Sequence, residues 1–181
     1  MQTQRLLPAF LLLGIAMTAA GQQPAGDNAP AVDIYALINR LAVELNREFI
    51  LDPRLQGMRW SSTAGTDADY DSLLALLRTG GFAAIEVGDQ IRIVPEVTAR
   101  SEPSPVILAD DPRISDHAIV TRVIAIPATQ LAAAELVPVL RPLMSTAAGV
   151  ATAIPGTNTL IIVDRYDNVR RITAIVDELR Q

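Results

Sequence analysis

Cysteine is absent from the 181 residues, lysine is absent too, and histidine occurs once, at His117. Without cysteine there is no disulfide framework, no thiol nucleophile and no cysteine-ligated metal or iron–sulfur centre. A single histidine is too few for a multi-histidine zinc site. Aromatic residues make up only 4% of the chain and charged residues 19%. All 15 basic residues are arginine, and 20 carboxylates outnumber them to leave a formal charge of −5. Such a chain lacks the concentrated positive field that a phosphate backbone demands, which argues against a nucleic-acid partner. Half of the residues are apolar, so this is not a disordered acidic tail. These absences leave a small acidic protein with little means for chemistry; no catalytic constellation, metal set, cofactor or small-molecule substrate is expected of it.

The N-terminus carries one basic side chain, Arg5, then an apolar run from Leu6 through Ala20 that ends in the small residues Ala19-Ala20-Gly21. This order is that of a cleavable secretory signal. The run falls short of the about 20 apolar residues a spanning helix needs; an uncleaved membrane anchor is the alternative. Residues 1–20 are therefore expected to be a signal peptide and the product to be periplasmic. Residues 21–32, polar and without periodicity, form a tether.

Structure is expected to begin at Asp33, placed to cap a helix in which Ile34, Leu37, Ile38, Leu41 and Leu45 share a face. Phe49-Ile50-Leu51 is a strand closed by Asp52-Pro53, and Met58 to Thr63 is a weaker one. A second helix from Asp69 to Thr79 presents Leu73, Leu74, Leu76 and Leu77 and stops at Gly80-Gly81. Phe82 to Val87 and Ile91 to Val94 flank Gly88-Asp89-Gln90 as a hairpin. Residues 33–96 thus read α-β-β-α-β-β. Pro103, Pro105 and Pro112 interrupt residues 97–116, which are expected to be a linker. Ala118 to Ile126 is a strand largely apolar on both faces, and so expected to be well covered. Thr129 would cap a helix reaching toward Met144, with a kink or early end because interior Pro138 and Pro142 each cost about 3 kcal/mol. Val150 to Ile154 and Thr159 to Val163 surround the turn Pro155-Gly156-Thr157-Asn158, and Asp164 would cap a last helix with Val169, Ile172, Val176 and Leu179 on one face. Residues 117–181 read β-α-β-β-α, a KH-like order. The fold class is α+β, with helices covering a sheet in each of two small domains.

Most chemical readings of individual residues yield to plainer ones. His117 beside Asp116 has no serine nucleophile or oxyanion motif with it. Asp67, Asp69 and Asp71 lack the glycine and distal glutamate of a calcium loop and suit a helix N-terminus; Asp110-Asp111 is the other acidic pair. The KH order lacks a Gly-x-x-Gly loop, since Thr146-Ala147-Ala148-Gly149 holds one glycine and no basic cluster. Trp60 is either strand packing or a partner anchor, because tryptophan is enriched at binding hot spots. Arg170-Arg171 is either a solvated helix face or an intersubunit contact.

Asp33-Ile34-Tyr35-Ala36-Leu37-Ile38, Phe49 to Gly57, and Gly81 to Pro95 together resemble the N-zero domain of bacterial secretins. Val120-Thr121-Arg122-Val123-Ile124, Ala134 to Leu143, and Asn158 to Asp164 resemble the secretin N-one, or NolW-like short, domain. The resemblance covers about four-fifths of the chain, is strongest toward the type II secretion secretin, and implies that proline in the helix after Thr129 is habitual. Three departures stand out. The family's chain continues into further repeats and a membrane-inserted barrel whereas this sequence stops at Gln181, so this chain is not expected to be the channel itself. The opening strand of the first domain is short or missing, with Pro30 in its place. Met58-Arg59-Trp60-Ser61-Ser62 replaces the usual alternation of β-branched residues. The resemblance implies a non-catalytic periplasmic module of the secretin-dependent machinery at the cell outer membrane. Its implied partners are secretin-type domains, copies of itself in a ring, or an inner-membrane component. The alternatives are a signal-receiving module like that of TonB-dependent transducers, and a remnant of a split secretin gene. Trp60, Ile91, Ile93, Arg170 and Arg171 are the candidate protein-contact residues.

Overall fold

The computed structural model describes residues 31–62, 65–127 and 131–179. The expected signal peptide, residues 21–30 of the tether, Thr63 and the capping Thr129 lie outside them.

The first unit comprises β1 (Ala31–Val32), α1 (Ile34–Leu45), β2 (Glu48–Leu51), β3 (Trp60–Ser61), α2 (Tyr70–Thr79), β4 (Phe82–Val87), β5 (Gln90–Pro95) and the short α3 (Glu96–Ala99). Asp33 caps α1 as expected, its carboxylate accepting the backbone N–H groups of Tyr35 and Ala36 at 3.0 and 3.1 Å. Asp69 does the same for α2 through the Ser72 N–H at 2.9 Å. Gly81, at φ +77°, turns the chain from α2 into β4 in a conformation that a Cβ would strain. The sheet order is β2-β5-β4, with β2 parallel and β4 antiparallel to β5. Side chains alternate across it. Phe82, Ala84, Ile91 and Ile93 face α1 and α2 and pack with Leu37, Leu41, Leu73 and Leu77, while Ala83, Ile85 and Val94 face the other way.

The opening strand is short, one of the two alternatives expected, and not missing. β1 pairs antiparallel with β3, Val32 opposite Trp60, in a two-stranded ribbon that closes over the helices. Two residues display no alternation, so their pairing, not a sequence pattern, identifies them as a strand; Val32 and Trp60 are both 6% exposed.

The second unit comprises β6 (Val106–Ile107), β7 (Ile119–Ala125), α4 (Ala133–Leu140), β8 (Val150–Ile154), β9 (Thr159–Arg165) and α5 (Tyr166–Leu179). Its sheet runs β6-β7-β9-β8, parallel only between β6 and β7. Val120, Ile124, Leu160 and Ile162 meet Leu136 and Leu140 of α4 and Val169, Ile172 and Val176 of α5. Residues 97–116, expected to hold no element, supply the end of α3 and the edge strand β6. Helix α4 ends at Leu140, and a 3-10 turn at Arg141–Leu143 accommodates Pro142, the early end that the prolines predict.

Two expectations about helix starts require correction. Asp164 does not cap α5, because it lies within β9, fully buried. Its carboxylate accepts the N–H groups of Arg165 and Ser145 at 2.7 and 2.9 Å and the Asn168 side-chain amide at 2.6 Å, tying the loop before β8 to the helix start. Leu179 is 52% exposed and does not join the buried face of α5.

At α4 the preceding Ala132 has no capping side chain. Asn158, in the β8–β9 turn at φ +47°, serves instead. Its Oδ1 accepts the Ala133 N–H at 2.7 Å, and its Nδ2 donates to the carbonyls of Ile126 and Leu131 at 3.0 and 2.9 Å. Asn158→Gly keeps the left-handed backbone and loses three bonds, with an expected cost of about 1–3 kcal/mol. Asn158→Ala adds backbone strain of about 1–2 kcal/mol. Urea unfolding of the two variants measures each part, and equal losses would refute the division.

Candidate functional site

Three of the five candidate contact residues are core residues. Trp60, Ile91 and Ile93 are 6%, 1% and 2% exposed. The strand pairing that brings Ile91 and Ile93 to the helical face also turns them away from solvent, and Trp60 lies against Phe82 with ring centroids 6.4 Å apart. Arg170 and Arg171 do lie on the exposed side of α5. Arg170 pairs with Asp116 and stands 5.0 Å from the Tyr166 ring centroid, a cation–π contact. Arg171 donates to the Leu143 carbonyl at 2.6 Å.

The acidic residues are engaged elsewhere. Asp69 is a cap, and Asp71 accepts the Ser115 hydroxyl. Asp111 holds Arg113 through a two-pronged pair at 2.7 and 2.9 Å, and that guanidinium keeps its carboxyl at a pKa of about 2. Asp110 lies 3.5 Å from Arg122. Asp116 serves Arg170 rather than orienting His117, whose Nδ1 instead sits 3.4 Å from the Arg78 guanidinium. Among the described residues no group of three or more histidines and carboxylates is placed to hold a metal ion, and no helix is long and apolar enough to cross a membrane.

What sequence reasoning missed is the seam between the two units. Ala83, Ile85, Val94 and Ala99 of the first form one apolar cluster with Ile119 and Ala148 of the second, and Val163 packs on it. Beside this cluster lies Arg165, 1% exposed, on the face of β9 that looks at the first unit. Its Nε donates to Glu96 at 2.9 Å, its Nη1 to the His117 carbonyl at 2.7 Å and its Nη2 to the Phe82 carbonyl at 3.1 Å. Arg78 adds an ion pair to Asp167 at 2.7 Å. The only sequence signal was an arginine closing the apolar strand Thr159 to Val163. Its partners lie 48 to 83 residues away in the chain, beyond any local pattern.

The surface left over is one of sheet faces and edges. Beyond the seam, the outer face of the second sheet carries Val123 and Ile161, half-buried, with Ile154 44% and Val106 63% exposed. The terminal strands are β2 and β4 in one sheet and β6 and β8 in the other. Such features suit association with another polypeptide better than transformation of a small molecule.

Comparison with known proteins finds two domain families along the chain. A family described as GspD-like, N0 domain matches residues 27–93, and the bacterial type II/III secretion system short domain matches residues 123–181. Secretin XcpQ of Pseudomonas aeruginosa is 31% identical over 97% of this chain and 28% of its own length. Secretin PulD of Klebsiella pneumoniae is 31% identical over 81% of this chain and 23% of its own. The chain thus spans about a quarter of the length of these curated relatives. Among solved structures, the Klebsiella pneumoniae type II secretion system outer membrane complex of PulD, PulS and the PulC HR domain matches with a TM-score of 0.65. The identity there is 28%, over 83% of this chain and 26% of the other. Two domain matches stand in tandem on the two sheets the structure displays: residues 27–93 are similar to a GspD-like N0 domain and residues 123–181 to the type II/III secretion system short domain.

Proposed function

We propose that the chain is a non-catalytic docking unit of a type II secretion machinery, exported to the periplasm by residues 1–20. In this reading residues 33–96 and 117–181 are its two domains, and it associates with secretin-type domains or an inner-membrane component of the same apparatus. The observation that carries the proposal is the uncovered apolar face of the second sheet, with Val106, Val123, Ile154 and Ile161 together on it. A contiguous exposed apolar patch is a mark of an interaction surface. The kinship with PulD, solved in a complex with PulS and the PulC HR domain, supports the choice of partner class. Arg170 and Arg171 offer a second, charged surface on α5.

Crosslinking in the bacterial envelope tests this reading. Wild type is expected to capture a secretin or an inner-membrane secretion component. Val123→Arg places a charge on the apolar face and should lower the yield about tenfold. Arg170→Glu/Arg171→Glu removes one exposed ion pair worth about 0–1 kcal/mol to folding, with the cation–π contact to Tyr166 and the bond to the Leu143 carbonyl; once its folding is confirmed, its effect on capture reports on the α5 surface. Failure of wild type to capture any secretion component, with secretion intact after deletion of the gene, would refute the proposal.

A further inference from the structure

We infer that the outer edge of β4 is a strand-addition site for a free extended segment of another polypeptide. This rests on the reading of the chain as a docking unit and assigns one of its sites.

The parity of the hairpin decides which groups are free. Val87 and Gln90 flank the two-residue loop Gly88-Asp89, and the pair closing such a loop is hydrogen-bonded. Bonded and non-bonded pairs alternate along an antiparallel ladder. Ile85 and Ala83 therefore bond inward to β5, whereas Phe82, Ala84 and Glu86 aim their N–H and C=O groups outward. Two observations agree with this parity: Pro95, opposite Phe82, has no N–H to give, and the Phe82 carbonyl is free to accept from Arg165. Arg165 closes that end of the edge. At Ala84 and Glu86 no other backbone or side-chain group among the described residues meets the outward main-chain groups.

These groups line a groove of about 370 Å³, whose opposite wall includes Pro105, Ile114, Ala118 and Ile119. The size selects the occupant. A helix about 10 Å across needs roughly 800 Å³ for every 10 Å of length and does not fit. A sheet edge brings its neighbouring strand with it and is blocked by the opposite wall. An extended chain rising about 3.3 Å per residue fits over three residues, the span from Ala84 to Glu86. Its main chain supplies the alternating donors and acceptors those residues lack. Its side chains fall alternately toward Leu74 and toward Ile85 and Ile119, so small or β-branched apolar residues suit both sides. The charges at the mouth are already engaged, Arg113 by Asp111 and Glu86 by Arg47 and Tyr70, which favours a neutral segment.

The probe is a phage-displayed library of random nine-residue peptides, selected on the purified whole chain, with the enriched peptides resynthesised. No secretion component is involved, so the outcome is independent of the envelope crosslinking. Neutral peptides with consecutive small apolar residues are expected, and their binding should slow amide exchange at Ala84 and Glu86. Glu86→Pro removes an outward donor on an edge strand, where proline is tolerated, and should weaken binding at least tenfold. Glu86→Ala keeps the donor and should bind within about twofold of wild type. If Glu86→Pro does not fold, the exchange pattern of wild type decides alone. The assignment is overturned if no peptide is enriched, if protection falls on another strand, or if Glu86→Ala loses as much as Glu86→Pro. It is equally overturned if a peptide of residues 21–32 or a second copy of the chain occupies the groove instead.

Discussion

Arg165→Met should destabilise the chain by about 3–5 kcal/mol, the range for stranding one half of a buried ion pair. The methylene stem is largely replaced, so little packing is lost. What remains is Glu96, 13% exposed at its side chain, without its cation, and the His117 and Phe82 carbonyls without their donors. Loss of hydrophobic burial competes weakly here, because the adjoining cluster of Ala83, Ile85, Ile119 and Ala148 is untouched. Adding Glu96→Met should recover at least half of the loss, since replacing both partners with apolar groups removes the stranded charge. Recovery stays incomplete because the two carbonyls remain. Urea denaturation measures both steps. A single-variant cost below about 1 kcal/mol would mean that water, not Arg165, satisfies the seam.

Trp60→Ala is expected to cost as much, about 3–5 kcal/mol, from a different source. The indole fills the space between the β1–β3 ribbon, Phe82 and the end of α2, and Gly80 is small because the ring is there. A Cβ on Gly80 would stand 2.3 Å from Trp60 Cη2. Gly80 has ordinary backbone angles, so Gly80→Ala tests the close approach alone and should cost about 1–3 kcal/mol as overpacking. Trp60 Nε1 is buried and finds no hydrogen-bond partner among the described residues, so Trp60→Phe loses volume but no bond. It should cost less than half of what alanine costs. As the only tryptophan, Trp60 reports the Gly80→Ala strain through its own fluorescence. Equal stability of Trp60→Ala and wild type would show the ribbon to be dispensable.

The contrast between these two sites shows what the sequence made visible. The helices were legible because Leu37, Ile38 and Leu41, or Leu73, Leu74 and Leu77, repeat at helical spacing, and the β4–β5 hairpin because a glycine turn separates two apolar runs. The same local patterns placed the longer strands of both sheets but not β6, which lies in the expected linker. Ile91 and Ile93 were misread as contact residues since alternation tells that two faces differ, not which neighbour covers each. β7 was apolar on both faces and expected to be covered on both. The second covering is only partial, with Ile119 in the seam and Val123 outside it. Nothing local distinguishes those two residues. Arg165 was invisible for a stronger reason: its meaning resides in Phe82, Glu96 and His117, which become neighbours only after both sheets exist.

The cap that Asn158 provides to α4 also bears on the order in which the second domain assembles. Helix α4 is eight residues long and contains Pro138, so alone in water it is too short to persist. Its first N–H finds a partner only when the chain has turned between β8 and β9, 25 residues downstream. That turn joins strands adjacent in sequence, and such hairpins close within about 1–10 μs. The hairpin is therefore expected to precede the helix in time although it follows it in the chain. A nascent chain emerging from its N-terminus would hold α4 unformed until residue 158 is free to fold back.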